Sequence, residues 1–123
     1  TRLEFRPDLR ALFREGDGTL TISHPDARNL SMILTYEEEG IVFLSLPGEE
    51  MLPGDEGLTE AGHQVLLDED FQPPDEHSPY YLQGFEIHAV EDLECILELG
   101  LDLCAEVYGW DPVTDDYISD LAL

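Results

Sequence analysis

The sequence contains no lysine, and no arginine beyond Arg28. Of its 29 acidic residues, five (Glu4, Asp8, Glu15, Asp17 and Asp26) share residues 1 to 30 with all five arginines, Arg2, Arg6, Arg10, Arg14 and Arg28. That segment is neutral. The other 24 acids lie in residues 31 to 123, so the whole net charge of -24 belongs to that stretch. A surface of this kind repels nucleic acid and anionic membrane and steers cationic proteins inward. With no Lys or Arg there to meet phosphate, neither nucleic acid nor membrane is expected as a partner.

Long apolar runs are missing too. None approaches 18 residues, and no basic N-terminus precedes an apolar stretch, so neither a membrane span nor a signal peptide is expected and the cytoplasm is the default compartment. Cysteine is scarce. Cys95 and Cys104 are nine residues apart on one predicted helix, about 13 Å along its axis, which is beyond the roughly 7 Å limit for a disulfide. They are expected to be buried thiols, in keeping with a reducing compartment.

The spacings that carry catalysis are also absent. No Gly-x-Ser-x-Gly, P-loop or dinucleotide fingerprint occurs, and His24, His63, His77 and His88 are isolated from one another. No catalytic residue, metal site or cofactor is expected, and the chain does not read as an enzyme. Glu15 to Ser23, EGDGTLTIS, looks like the middle of an EF-hand calcium loop, but it fails at its ends. With Gly18 at the sixth loop position, Phe13 would be the first ligand and His24 the twelfth, where a bidentate acid is required. The acids of DEDFQPPDEHSP, residues 68 to 79, are split by Pro73 and Pro74 and lack H-x-H, HExxH or CxxC spacing.

What is present is one domain's worth of chain. Its 123 residues and 42% hydrophobic content argue for a hydrophobic core despite the charge. The organising stretch is VEDLECILELGLDLCAEVY, residues 90 to 108. There Leu93, Ile96, Leu97, Leu101, Cys104 and Tyr108 recur at helical spacing, and Leu99, Leu103 and Val107 widen the apolar face. Glu94, Glu98, Asp102 and Glu106 fall at strict four-residue intervals on the opposite side, one anion roughly every 6 Å. Each like-charge pair costs a few tenths of a kcal/mol, and nothing basic is expected to relieve the row. A fold alone has no use for that cost, which points to a surface made to meet something positive.

Before this helix, Pro7, an apolar face of Leu9, Leu12 and Phe13, and Gly16 spell a short helix, preceded by a short strand at residues 2 to 5. Arg6, Arg10 and Arg14 line up on it, either lying against the acidic body or forming a second binding face. Strands follow at Thr19 to His24, Leu30 to Glu37 and Ile41 to Leu46, the last two as a hairpin. The unit LPGEE (46 to 50) recurs as LPGDE (52 to 56) and reads as two acidic turns. Residues 58 to 67 fit helix or strand equally. Tyr80 to Val90 has strand character, and Asp111, Pro112, Val113, Tyr117, Ile118 and Leu121 describe a terminal helix. The expected fold is α+β: a single domain, residues 1 to 123, with an antiparallel β-meander packed against a long C-terminal amphipathic helix.

In size, charge and cytosolic character the chain resembles the small acidic immunity and antitoxin proteins with which bacteria neutralise their own basic toxins, a likeness to a class without a family motif. That resemblance implies a toxin inhibitor that binds a basic partner protein over its active site. The alternative is a nucleic-acid mimic of the anti-restriction or anti-CRISPR type, displaying carboxylates at phosphate-like spacing. The candidate contact residues are the ridge Glu94, Glu98, Asp102 and Glu106, the loop acids Glu49, Glu50, Asp55, Glu56, Asp68, Asp70, Asp75 and Glu76, and the aromatic anchors Tyr80, Tyr81 and Trp110. The aromatic and apolar content beside the acids favours the inhibitor, since a generic mimic needs fewer buried anchors.

Overall fold

Helix α1 spans Arg6–Glu15, with Pro7 in its first turn and Gly16 closing it in the left-handed region (φ 70°), where the Gly16 N–H reaches the Leu12 carbonyl at 3.0 Å. Asp8 in the first turn and Arg14 in the last complement the helix dipole. The computed structural model describes residues 5–24, 27–38, 40–48, 60–108 and 117–123. Within them the chain continues through β1 (Gly18–His24), β2 (Ala27–Glu38), β3 (Ile41–Pro47), α2 (Glu60–Asp68), β4 (Tyr80–Glu86), α3 (Val90–Tyr108) and β5 (Ile118–Ala122). The strands form one antiparallel sheet in the order β4-β3-β2-β1-β5. This is an α+β domain. The strand expected at residues 2 to 5 lies, but for Phe5, outside the described residues, as do the two LPG(E/D)E turns beyond Gly48.

Strand alternation decides which face is covered. Leu20 and Ile22 of β1, Met32, Leu34 and Tyr36 of β2, Val42, Leu44 and Leu46 of β3, and Tyr81 of β4 are all buried. Cross-strand register aligns them, with Leu20 opposite Leu34, Leu34 opposite Leu44, and Leu46 opposite Tyr81. Against this face lie Phe5, Leu9 and Leu12 of the α1 region, Leu66 of α2, and Leu93, Ile96, Leu97, Leu101, Leu103 and Cys104 of α3. All three helices thus contribute to one core on one side of the sheet.

Helix α3 also solves the topology. Its 19 residues span about 28 Å, enough to cross a five-stranded sheet whose outer strands lie about 19 Å apart. The chain leaves the β4 edge, runs over the core face and returns as β5 beside β1, pairing Leu20 with Leu121 and Ile22 with Ser119. The terminal helix expected through Tyr117, Ile118 and Leu121 is therefore wrong over Ile118–Ala122, which is strand. Apolar residues three apart match a helical face, but the free edge of β1 pairs with this segment and makes it strand. Asp111, Pro112 and Val113 lie outside the described residues. The undecided stretch at 58 to 67 is helical from Glu60, with Gly62 and Leu66 buried.

Gly100 is where α3 meets the sheet most closely. A Cβ there would strike the Met32 sulfur and come within 3.4 Å of Leu44 Cδ1. Both neighbours are fully buried, so neither has free space to retreat into. Gly100→Ala gains about 1 kcal/mol of helix propensity but overpacks the crossing by about 1–3 kcal/mol. We predict net destabilisation of about 1 kcal/mol in urea unfolding, smaller in a Met32→Ala background. A Gly100→Ala protein more stable than wild type would refute this close approach.

Candidate functional site

The ridge on α3 lies where its periodicity put it, on the side turned away from the core. Glu98, Asp102 and Glu106 are exposed, whereas Glu94 is only partly so. The reason is electrostatic. Arg6 at the start of α1 places its Nε 3.2 Å from Glu94 Oε1, which corrects the expectation of an unrelieved row. The Arg6 side chain is 42% exposed and that of Glu94 19%, so the pair contributes about 0.2–1 kcal/mol, enough to offset one like-charge contact on the ridge. Arg14 lies 3.9 Å from its neighbour Glu15 and projects into solvent. Of the described arginines on the stripe, Arg6 is thus the one shown reaching the acidic body.

The second acidic cluster is a folded turn. Asp75 accepts from the N–H groups of His77 (2.8 Å) and Ser78 (3.0 Å), which fixes its carboxylate as a turn residue. Glu76 pairs with His77 at 3.4 Å, both highly exposed. Asp68 accepts from Gln64 one helical turn earlier at 2.9 Å, and Asp70 adopts a left-handed conformation (φ 67°) just after α2. The segment is tied back to the sheet edge by the Gln72–Leu82 bridge. All four acids are exposed. Glu49, Glu50, Asp55, Glu56 and Trp110 lie outside the described residues.

The aromatic anchors fare differently. Tyr80 is half-buried. Tyr81 is 3% exposed and presents no anchor at the surface, because its position on β4 points into the core. Its hydroxyl bonds His63 Nδ1 of α2, and the two rings meet edge to face at 5.7 Å. Nearby the Tyr108 hydroxyl donates to the Pro47 carbonyl. Burial, followed by the Cys104 and Tyr81 groups, pushes the Tyr108 phenol up, and burial alone pushes the Cys104 thiol up. Both stay neutral at physiological pH. Cys95, by contrast, is exposed, which corrects the expectation of two buried thiols: it lies one residue after Glu94, outside the stripe that faces the sheet.

One acid missed in the sequence has a defined role. Asp92 is the third residue of α3, and its Oδ2 accepts from the N–H groups of His88 (2.7 Å) and Ala89 (3.2 Å). This is the returning half of a capping box. The Ala at position 89 hid it, since the usual signal is Ser or Thr there. Among the described residues no three His, Cys, Asp or Glu side chains converge as metal ligands would, and no described helix is long and apolar enough to cross a membrane. No protein-family model, no curated protein and no solved structure matches this chain.

The bonds from His88 and then Ala89 hold the Asp92 carboxyl below its ordinary value of 3.8. Because the folded value is the lower one, its stabilisation is present above about pH 4 and is lost as pH falls through the folded value. We predict that Asp92→Ala melts below wild type at pH 7 and that the gap closes on acidification to pH 2. A gap that is constant with pH would refute the capping role.

Proposed function

We propose that this protein is an acidic inhibitor that binds a basic partner protein and blocks its active site, as a bacterial immunity protein does to its cognate toxin. The single observation behind this reading is the separation of charge. Twenty-four acids follow residue 30 with no Lys or Arg among them, and Arg6 meets the first carboxylate of the α3 ridge. Exposed carboxylates on Asp102 and Glu106, and on Asp68 and Asp70 of the 68–76 turn, have no Lys or Arg of their own segment to meet. A cationic protein supplies one.

Such a surface acts chiefly on encounter. Long-range attraction raises the association rate and makes it fall with salt, while a few close contacts set the rate of dissociation. The active site is covered because a cleft that binds nucleic acid or a nucleotide is itself the strongest positive feature on such an enzyme.

The test is inhibition of a partner captured at low salt. Replacing Glu98, Asp102 and Glu106 together by Gln or Asn, and separately Asp68, Asp70 and Glu76, should each leave the protein folded. We predict that at least one set weakens inhibition on the order of 10-fold, mainly through association rate. Full potency in both variants against a partner that wild type inhibits would end the acidic-surface reading. Competition by added DNA or RNA for the partner's groove would favour the nucleic-acid mimic.

A further inference from the structure

The face of the sheet opposite the core is covered by no described helix. It is also not an ordinary solvent face. Thr21, Ile33, Ser45 and Leu82 align across β1 to β4, and Thr19, Thr35, Phe43 and Gly84 form the next row. The side chains from Thr19 to Leu82 in these rows are half-buried and uncharged, an island in a protein of net charge -24. Phe43 and Leu82 do not belong to the main core.

Within this face lies a depression of about 150 Å³ open to solvent, lined by Thr35, Glu37, Phe43, Ser45 and Leu82. Drug-sized ligands occupy pockets of about 300 Å³ or more, whereas about 150 Å³ holds one benzene-sized group. It therefore fits a single side chain. Two features build it. The register of β2 against β3 shifts between Tyr36 and Glu38, leaving Glu37 as the extra residue of a bulge, a device that re-aims a side chain. Opposite Phe43 stands Gly84, and the Phe43 ring lies over it, with Cε1 at 3.1 Å from where a Cβ would be. The missing side chain seats the ring.

The geometry points to an arginine of a basic protein as the occupant of this depression. This deepens the reading above and rests on it. Phe43 offers a ring to a planar guanidinium and Leu82 an apolar wall to its methylene stem. Thr35 and Ser45 supply hydroxyl acceptors. Glu37 is exposed, accepts no hydrogen bond or ion pair from any described residue, and can take the guanidinium through two parallel bonds. Glu86, two residues beyond Gly84 on the same face, adds a second negative charge. Arginine is enriched at the centres of protein interfaces, where such uncharged, partly apolar surroundings strengthen a single ion pair. Lysine lacks both the plane and the fork.

The test is a methyl and amide NMR titration of the whole protein with acetyl-arginine-methylamide at constant ionic strength, beside the neutral citrulline analogue, the lysine analogue and a tri-arginine peptide. We predict saturable shifts at Thr35, Phe43, Ser45 and Leu82, with a Kd on the order of 1–10 mM for the single residue. Citrulline should bind about tenfold more weakly, and Glu37→Gln and Phe43→Ala should each weaken arginine binding similarly while leaving the core spectrum intact. Gly84→Ala, which displaces the ring, is a second route to the same loss. If citrulline or lysine shifts the same residues with equal affinity, arginine recognition is overturned. Shifts from tri-arginine confined to α3 or the 68–76 turn would overturn this site and leave the basic-partner reading standing. No saturable shift anywhere with tri-arginine would overturn both.

Discussion

The contact of α3 with β2 and β3 at Gly100 is the constraint on which the rest of this structure depends. A helix that carries leucines around more than half its circumference must bury them, and it can do so on a sheet only by lying close. Gly100 permits that approach over Met32 and Leu44. Once α3 is seated, its rotation is set. Leu93, Leu97, Leu101 and Cys104 go inward, Glu98, Asp102 and Glu106 go outward, and the C-terminal segment is delivered to the free edge of β1. Because the described helices contribute to one core on one side, the same packing leaves the other sheet face without a described helix over it, so a single contact defines both the acidic outer layer and the half-buried rows of the opposite face.

Charge is distributed by the same arrangement. Four of the five arginines precede the sheet in sequence, and α1 packs where it brings Arg6 to Glu94. Arg14 stays in solvent beside Glu15. A segregation of this kind is a poor way to stabilise a fold, since surface ion pairs contribute little and uncompensated carboxylates repel. It is an effective way to hold negative potential ready for a partner. The sheet face supplies what an acidic helix lacks: apolar walls and a seated aromatic ring around one carboxylate.

Much of this was legible in the chain itself. Pro7 and Gly16 marked α1, apolar, β-branched and aromatic runs with turn residues between them marked the meander, and the apolar spacing from Leu93 to Tyr108 marked α3, because each is a local signal of the element it belongs to. The failures are tertiary. Strand β5 exists because β1 has an edge to fill, which Ile118 and Leu121 cannot report alone. Tyr81 looked like a surface anchor beside acids, yet parity along β4 turns it inward. Cys95 was grouped with Cys104 although nine residues place them on different faces of the helix. The depression on the sheet left one trace: Ile41, Val42, Phe43 and Leu44 are continuously apolar, whereas a strand with one wet face alternates. The bulge at Glu37 and the pairing of Phe43 with Gly84 leave none, since both are matters of register.

The excess of carboxylates after residue 30 has no Lys or Arg in its own segment to balance it. Thermal unfolding followed from low sodium chloride to 1 M tests most directly whether that charge goes unrelieved, because at 1 M the screening length falls to about 3 Å. If the carboxylates after residue 30 repel one another unrelieved, the melting temperature rises steadily with salt. A midpoint that stays flat across that range would mean that the charge is already neutralised within the fold, and would contradict the account.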